Sequence, residues 1–361
     1  MQGCNLLFDT EPKTSLSDLF DREEEVEKLK KGLGERLVLV LGMRRIGKSS
    51  LILSTLNSLG IDYVFVDVRK VYDSSVRKVY ADKLLEEVYS SLARLSRKEQ
   101  AKRVFERLGL EVEYPIRVRI KSEAEESLNK AFEALNELGL KRGKVPVVFD
   151  EAQYLRYSTL SLRPLFAHIY DYMKGITLIL TGSEVGLLHD FLGLDDPGSE
   201  LYGRYFYSVE LKPFDEKMSK EFLRRGFSEA KVEVAEGVIE EAVKELDGIV
   251  GWLVYFGKLY LERKENAIEE VKEVGSKLVE QELRELEARS PYYILILRAL
   301  ASLGKARWKN IMDYVVASRG KRINNATLYR ELNALIRMGF IEKTGEEYRI
   351  TDPIIRYAAL K

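Results

Sequence analysis

The chain has 361 residues, with 58 Lys/Arg balanced by 58 Asp/Glu, so its formal net charge at pH 7 is zero. That length exceeds what one hydrophobic core usually organises and points to two or three domains. A single cysteine, Cys4, excludes an intrachain disulfide, and with only His168 and His189 beside it a zinc site has almost no ligands to draw on. No apolar run approaches the roughly 18 residues of a membrane span, and the N-terminus lacks the layout of a signal peptide. A reducing cytoplasm, with no membrane partner, is the expected setting. Charged residues reach 32%, and Asn and Gln are scarce, a profile that leans towards a thermophile.

In chain order, residues 1–19 show no sustained periodicity and read as a tail. A helix is expected from Asp21, which with Glu24 makes a capping-box pair, and Val26 and Leu29 give its inward face. Leu37 to Leu41 is a continuous apolar run, as in a strand buried on both faces. Gly42-Met43-Arg44-Arg45-Ile46-Gly47-Lys48-Ser49 follows and fits G-x-x-x-x-G-K-[ST] at every fixed position, and Ser50-Leu51-Ile52-Leu53 then opens a helical pattern. Strand, glycine loop and helix together form the context of a phosphate site. The glycines let backbone N–H groups turn inward, and the helix N-terminus adds partial positive charge. The candidate ATP-binding residues are therefore Gly42, Arg44, Arg45, Ile46, Gly47, Lys48, Ser49 and Ser50. Lys48 is expected to reach the β- and γ-phosphates, and the Ser49 hydroxyl to ligate Mg²⁺.

Tyr63 to Val68 is a second apolar strand. Residues 70–144 are mostly helical, apart from 116–120, whose strict alternation argues a half-exposed strand with a solvated arginine face. Val145 to Phe149 is a further strand, ending in Asp150-Glu151. Beside a phosphate loop, that pair fits a magnesium-holding aspartate followed by a water-polarising glutamate. Residues 176–180 form another strand, after which the hydroxyl of Thr181 or Ser183 could bond the γ-phosphate or the attacking water. Arg204 precedes a fifth strand, 205–211, and is a candidate for sensing γ-phosphate charge. Residues 215–289 are helical, with Asp215 as a cap and a glycine-bearing turn at 248–252.

Ser290-Pro291 opens the last module as an N-cap followed by proline. From there to Lys361 the chain holds 13 Lys/Arg against 6 Asp/Glu, an excess of seven, so the remainder is acidic by the same amount. Three helices, the third capped by Asn325, and a hairpin turning at Gly345 describe a winged helix-turn-helix. Leu328, Leu332, Leu335 and Ile336 share one face of the third helix, and Thr327, Arg330 and Arg337 the other, preceded by Arg319, Lys321 and Arg322. That arrangement suits phosphate contacts and a helix in the major groove of duplex DNA. Winged helices also dock proteins, and the acidic wing tip, Glu346 and Glu347, keeps a protein partner open.

FDREEE, GMRRIGKSS, VVFDEAQYL, LILTGS, LYGR and YRITDPIIRY together resemble an archaeal ATPase family of the AAA+/STAND-related P-loop class, from Phe20 to Lys361. The resemblance implies an α/β fold with a parallel five-stranded sheet, a helical lid and a C-terminal winged helix. It also implies ATP and Mg²⁺ as cofactors, with Lys48 and Ser49 on phosphate and metal, Asp150 holding the metal and Glu151 catalytic. Ser183 falls at the sensor position and Arg204 at the family's GR arginine. The expected division is a tail at 1–19, the ATPase domain at 20–213, the lid at 214–289 and the winged helix at 290–361. The lid turn departs from the family's Gly-x-Pro, having Gly251-Trp252, which removes the usual lid contact with adenine from the inference. Two functions stand side by side: an ATP-hydrolysing or ATP-switched regulator that binds DNA, and a STAND-like scaffold that docks protein. No Asn-Lys-x-Asp run supports a GTPase, and an Asp-Glu pair suits activated water better than small-molecule phosphorylation.

Overall fold

The computed structural model describes residues 7–96, 103, 124–263 and 266–361. The half-exposed strand expected at 116–120 lies outside them. Contacts divide the chain into two units: residues 13–42 with 48–211, and residues 1–12 and 43–47 with 212–361.

The first unit is built on a parallel sheet of five strands in the order β2-β5-β6-β1-β7: β1 (Leu37–Leu41), β2 (Val64–Asp67), β5 (Val145–Asp150), β6 (Ile176–Gly182) and β7 (Tyr207–Glu210). A two-stranded ribbon, β3 (Tyr72–Asp73) and β4 (Lys78–Val79), lies between the second and third of these in sequence. Every residue of β1, β5 and β6 is buried, which is why these three strands read as unbroken apolar runs. Helices α1 (Glu23–Gly32), α2 (Lys48–Ser58), α3 (Val68–Val71), α4 (Ala81–Ser96), α5 (Ala124–Arg142), α6 (Leu162–Tyr172) and α7 (Val185–Leu192) also belong to this unit, with two 3₁₀ turns at Leu16–Asp18 and Ala152–Tyr157.

Two expectations shift here. The helix α1 begins after Arg22, which has no side-chain cap bond and instead donates to Glu25 at 2.9 Å; the cap position is therefore Arg22, one residue after the expected Asp21, which takes a left-handed φ of 49°. The second strand stops at Asp67 because its carboxylate accepts from the Lys70 N–H at 3.2 Å and starts α3 at Val68.

The second unit contains α8 (Glu216–Glu229), α9 (Glu236–Leu246), α10 (Val250–Arg263) and α11 (Ala267–Arg289), followed by α12 (Pro291–Leu303), α13 (Trp308–Arg319), α14 (Asn325–Arg337) and α15 (Pro353–Leu360). Asp215 caps α8 through the Met218 N–H at 2.7 Å, and Ser290 with Pro291 opens α12. The cap of α14 is Asn324, one residue before the expected Asn325, its side chain accepting from the Ala326 N–H at 2.9 Å. The hairpin β9 (Ile341–Thr344) and β10 (Glu347–Ile350) turns at Gly345 and gains a short third strand, β8 (Lys305–Arg307), too brief to show a period. Helix α15 packs on α11 and α12, so the described lid and winged helix belong to one unit.

Residues 1–19 are not simply a tail. Phe8 is 3% exposed, its ring seated against Phe222 and Phe227 at centroid distances of 5.9 and 4.9 Å. A Cβ on Gly226 or Gly257 would fall 2.3 Å from that ring, so both glycines leave the space it fills. A single anchoring aromatic has no periodicity, which is why the segment looked featureless.

Candidate functional site

In a parallel sheet every strand ends on the same edge, and residues just after adjacent strands are brought together there. β5, β6 and β1 are neighbours, so Asp150, the residues after Gly182, and Gly42 share one edge. Lys48, at the start of α2, donates through Nζ to the Gly42 carbonyl at 2.9 Å and lies 3.7 Å from Glu151 Oε1. The Ser49 hydroxyl donates to Asp150 Oδ2 at 2.7 Å, and the Thr181 hydroxyl to Asp150 Oδ1 at 2.6 Å. Thr181 also accepts the Glu151 N–H at 2.9 Å. Glu151 sits at φ 54°, ψ 46°, a left-handed turn that takes the chain off β5. Its Oε2 accepts from the Ser183 hydroxyl and from Gln153 Nε2, which also donates to Ser183 Oγ at 3.1 Å.

Electrostatics at this edge are dominated by Asp150. Burial pushes its carboxyl above the usual carboxylate range, the charge of Glu151 adds to that, and the Thr181 and Ser49 bonds and Lys48 pull the other way. A carboxyl whose folded value is raised contributes its stability at low pH and loses it as pH rises through the folded value. Ionised Asp150 therefore costs stability at neutral pH when nothing is bound. Asp150→Asn is expected to raise the ligand-free melting temperature at pH 7 by about 2 °C or more, and the gain should vanish near pH 4. Melts at both pH values check this. An unchanged or lower value at pH 7 would mean the Ser49 and Thr181 bonds outweigh burial.

Of the residues singled out in the sequence, Lys48, Ser49, Asp150, Glu151 and Ser183 meet at this edge, and Ser50 accepts the Lys13 N–H at 3.1 Å. Arg204 does not join them. It precedes β7 and so lies at the opposite edge of a parallel sheet, where Nε and Nη2 form a bidentate pair with Asp171 at 3.0 and 2.6 Å. Thr181 bonds both acidic residues, and Gln153, fully buried two residues after Glu151, was given no role by sequence. Its only signal was a polar side chain three residues past the end of an apolar strand.

The intervening loop residues 43–47 belong to the other unit. Ile46 is buried, Arg44 pairs with Glu282, and Arg45 lies 4.5 Å over the Trp252 ring with Glu282 and Asp352 beside it. The guanidinium groups of both loop arginines are thus engaged by carboxylates. Trp252 is 2% exposed, so within its unit the lid turn serves as a buried support for Arg45.

On the winged helix, Lys321 and Arg322 are exposed in the loop before α14, and Arg319 lies 4.9 Å over the Tyr292 ring. Arg330 and Arg337, two turns apart on α14, are exposed, with Arg330 pairing Glu331 at 3.0 Å; Thr327 is half-buried. Leu328, Leu332 and Leu335 form the buried face, while Ile336 is only partly covered. Tyr329, 61% exposed beside Arg330, was not singled out by sequence. Among the described residues, no group of three or more His, Cys, Asp and Glu could hold a metal by itself, and no helix is long and apolar enough to cross a membrane.

Comparison with known proteins gives the family and the fold. Residues 287–351 match the C-terminal winged helix-turn-helix domain of MCM proteins. A Walker-type ATPase of Pyrococcus abyssi is 41% identical over 98% of this chain and 99% of its own, with a TM-score of 0.86. The ORC2 protein of Aeropyrum pernix, solved as ADPNP–ADP complexes, superposes at a TM-score of 0.60 over 98% of this chain and 96% of its own; at 17% identity it shares the fold. A search of curated proteins gives no match. An ATPase domain predominantly from Archaea matches residues 19–256, and with a full-length relative at 41% identity beside it, the chain belongs to this archaeal ATPase family, with a winged helix at its C-terminal end.

Proposed function

We propose that the chain is a Mg²⁺-dependent ATPase whose nucleotide state governs a winged helix that contacts duplex DNA. The observation that carries the first half is that Ser49, Asp150 and Glu151 share one hydrogen-bond network through Thr181 at the C-terminal edge of the sheet, with Lys48 3.7 Å from Glu151. The hydroxyl of Ser49 and the carboxylate of Asp150 are two hard oxygens, a donor set that fits Mg²⁺. Ser49 and Asp150 would hold the ion, which when bound supplies charge neutralisation to the phosphoryl group. Lys48 places a point charge at the phosphates, and Glu151 accepts a proton from water. Ser183 and Gln153 fix the Glu151 carboxylate so that it need not reorganise during reaction. Phosphate release from ATP, with and without Mg²⁺ and with GTP as comparator, tests this. Absence of turnover under every condition, with ATP still bound, would favour the protein-docking switch.

The second half is supported by the excess of seven positive charges from Pro291 onward and by four of them, Lys321, Arg322, Arg330 and Arg337, exposed on or before α14. Replacing Arg330 and Arg337 with Ala is expected to weaken duplex binding with little change in melting temperature. Replacing Lys321 and Arg322 should flatten the dependence of log affinity on log salt by about one unit for each DNA phosphate left without its cation. Gel-shift titrations at several salt concentrations give both values. No binding by the intact chain at low salt would move the module to protein docking, in keeping with a wing tip where Glu346 lies 3.5 Å from Arg307.

A further inference from the structure

Arg45 holds a φ of +63°, a left-handed conformation that a residue with a Cβ adopts only when its surroundings impose it. Those surroundings belong to its own unit. The Arg45 carbonyl accepts the Gly251 N–H at 2.9 Å, and a Cβ on residue 251 would fall 2.8 Å from the Arg45 Cβ, so only glycine permits the approach. The Arg45 guanidinium lies over Trp252, with Nη2 donating to Glu282 Oε1 at 3.3 Å and Nη1 at 3.7 Å from Asp352 Oδ2. Arg44 pairs with the same Glu282, and its guanidinium is 5.9 Å from the Phe340 ring of the winged helix.

Asp352 ties this cluster to the last helix. It is 2% exposed, caps α15 through the Ile354 N–H at 2.8 Å, and accepts Trp252 Nε1 at 3.0 and 3.1 Å. Burial pushes its carboxyl up and the charge of Arg45 pulls it back. A carboxylate this deep loses most of its support if the arginine leaves. Two carboxylates from α11 and the winged helix therefore meet two arginines from one short loop, all half-buried or buried.

We propose that Asp352 and Glu282 are positioning residues for the phosphate loop: they hold Arg45 and Arg44 so that the loop keeps its nucleotide-binding shape, which links seating of α15 to nucleotide affinity. The link rests on the assignment of Gly42–Ser49 as the nucleotide loop. Residues 43–47 are continuous in sequence with Gly42 and Lys48, so a loosened tip changes the backbone that presents N–H groups to phosphate. By reciprocity, nucleotide must tighten α15 by the factor that α15 tightens nucleotide.

Mg–ADP titration by calorimetry and amide exchange across residues 353–360 test this on the full chain. ADP should slow exchange in α15 of the natural protein. Asp352→Asn, which can still cap the helix and accept from Trp252, should weaken ADP about fivefold or more and remove that protection. Glu282→Gln, distant in sequence from the α15 cap, should act in the same direction and serves if the first variant folds poorly. In an Arg45→Gly background, where the left-handed backbone is retained without a guanidinium, Asp352→Asn should have no further effect on affinity. A merely structural Asp352 would speed exchange in both backgrounds and leave ADP affinity unchanged, which overturns the link. ADP bound with α15 exchange unaltered overturns it as well, while nucleotide binding itself stands. No ADP binding by the natural protein overturns both.

Discussion

Glu151→Gln is expected to leave ATP bound while turnover falls by about a hundredfold or more, the range for losing a positioned general base. An amide keeps the shape and one carbonyl oxygen, so the Ser183 hydroxyl retains an acceptor; it has no basic oxygen to take a proton from water. The surrounding bonds sharpen the expectation. Glu151 is fixed from two sides, by Ser183 and Gln153, and lies 3.7 Å from Lys48, so its position is set before any ligand arrives. Single-turnover phosphate release and a parallel binding titration separate the two effects. Unchanged release would make Glu151 a structural residue at the strand end.

Lys48→Ala is expected to weaken Mg–ATP binding by about a hundredfold or more, in the range for truncating one partner of a buried charge pair. Calorimetric titration of both proteins decides it, and equal affinities would sink the phosphate-loop assignment. Lys48 is only 5% exposed and lies close to Glu151, beside the raised carboxyl of Asp150. Its removal leaves two adjacent carboxylates with less compensating charge. The variant should therefore melt somewhat lower than the natural protein at pH 7 and recover as pH falls, because protonation relieves the repulsion. Adding Asp150→Asn to Lys48→Ala should restore much of the lost stability and none of the binding. Loss of binding in a protein with restored stability separates a ligand role for Lys48 from a folding role.

Much of the chemistry was legible because it is local. A glycine loop between an apolar strand and a helix is defined by consecutive residues, as is a strand ending in two carboxylates. The parallel sheet then follows from runs buried on both faces, since such strands carry no polar alternation to hide their boundaries. What stayed hidden was carried by single residues acting over long sequence separations. Phe8 anchors the N-terminal segment through one ring, and Gln153 reaches Ser183 only because β5 and β6 lie side by side. Arg204 shows the converse. Its sequence context suggested proximity to phosphate, but residues before and after parallel strands occupy opposite edges, and Arg204 precedes its strand, where it pairs with Asp171.

The sequence by itself determined that the chain carries a phosphate-loop pattern at Gly42–Ser49, follows it with the acidic pair Asp150 and Glu151, and closes with a basic winged helix, because each is written in adjacent residues whose spacing has one structural solution. Tertiary structure alone decided what the two loop arginines do. Arg44 and Arg45 occupy positions the phosphate pattern leaves free, and their partners, Glu282 and Asp352, stand 237 to 307 residues away as ordinary acids in helical and turn sequence. Only folding brings those charges together out of water, where an unpaired carboxylate would be costly and a paired one can hold a loop in place.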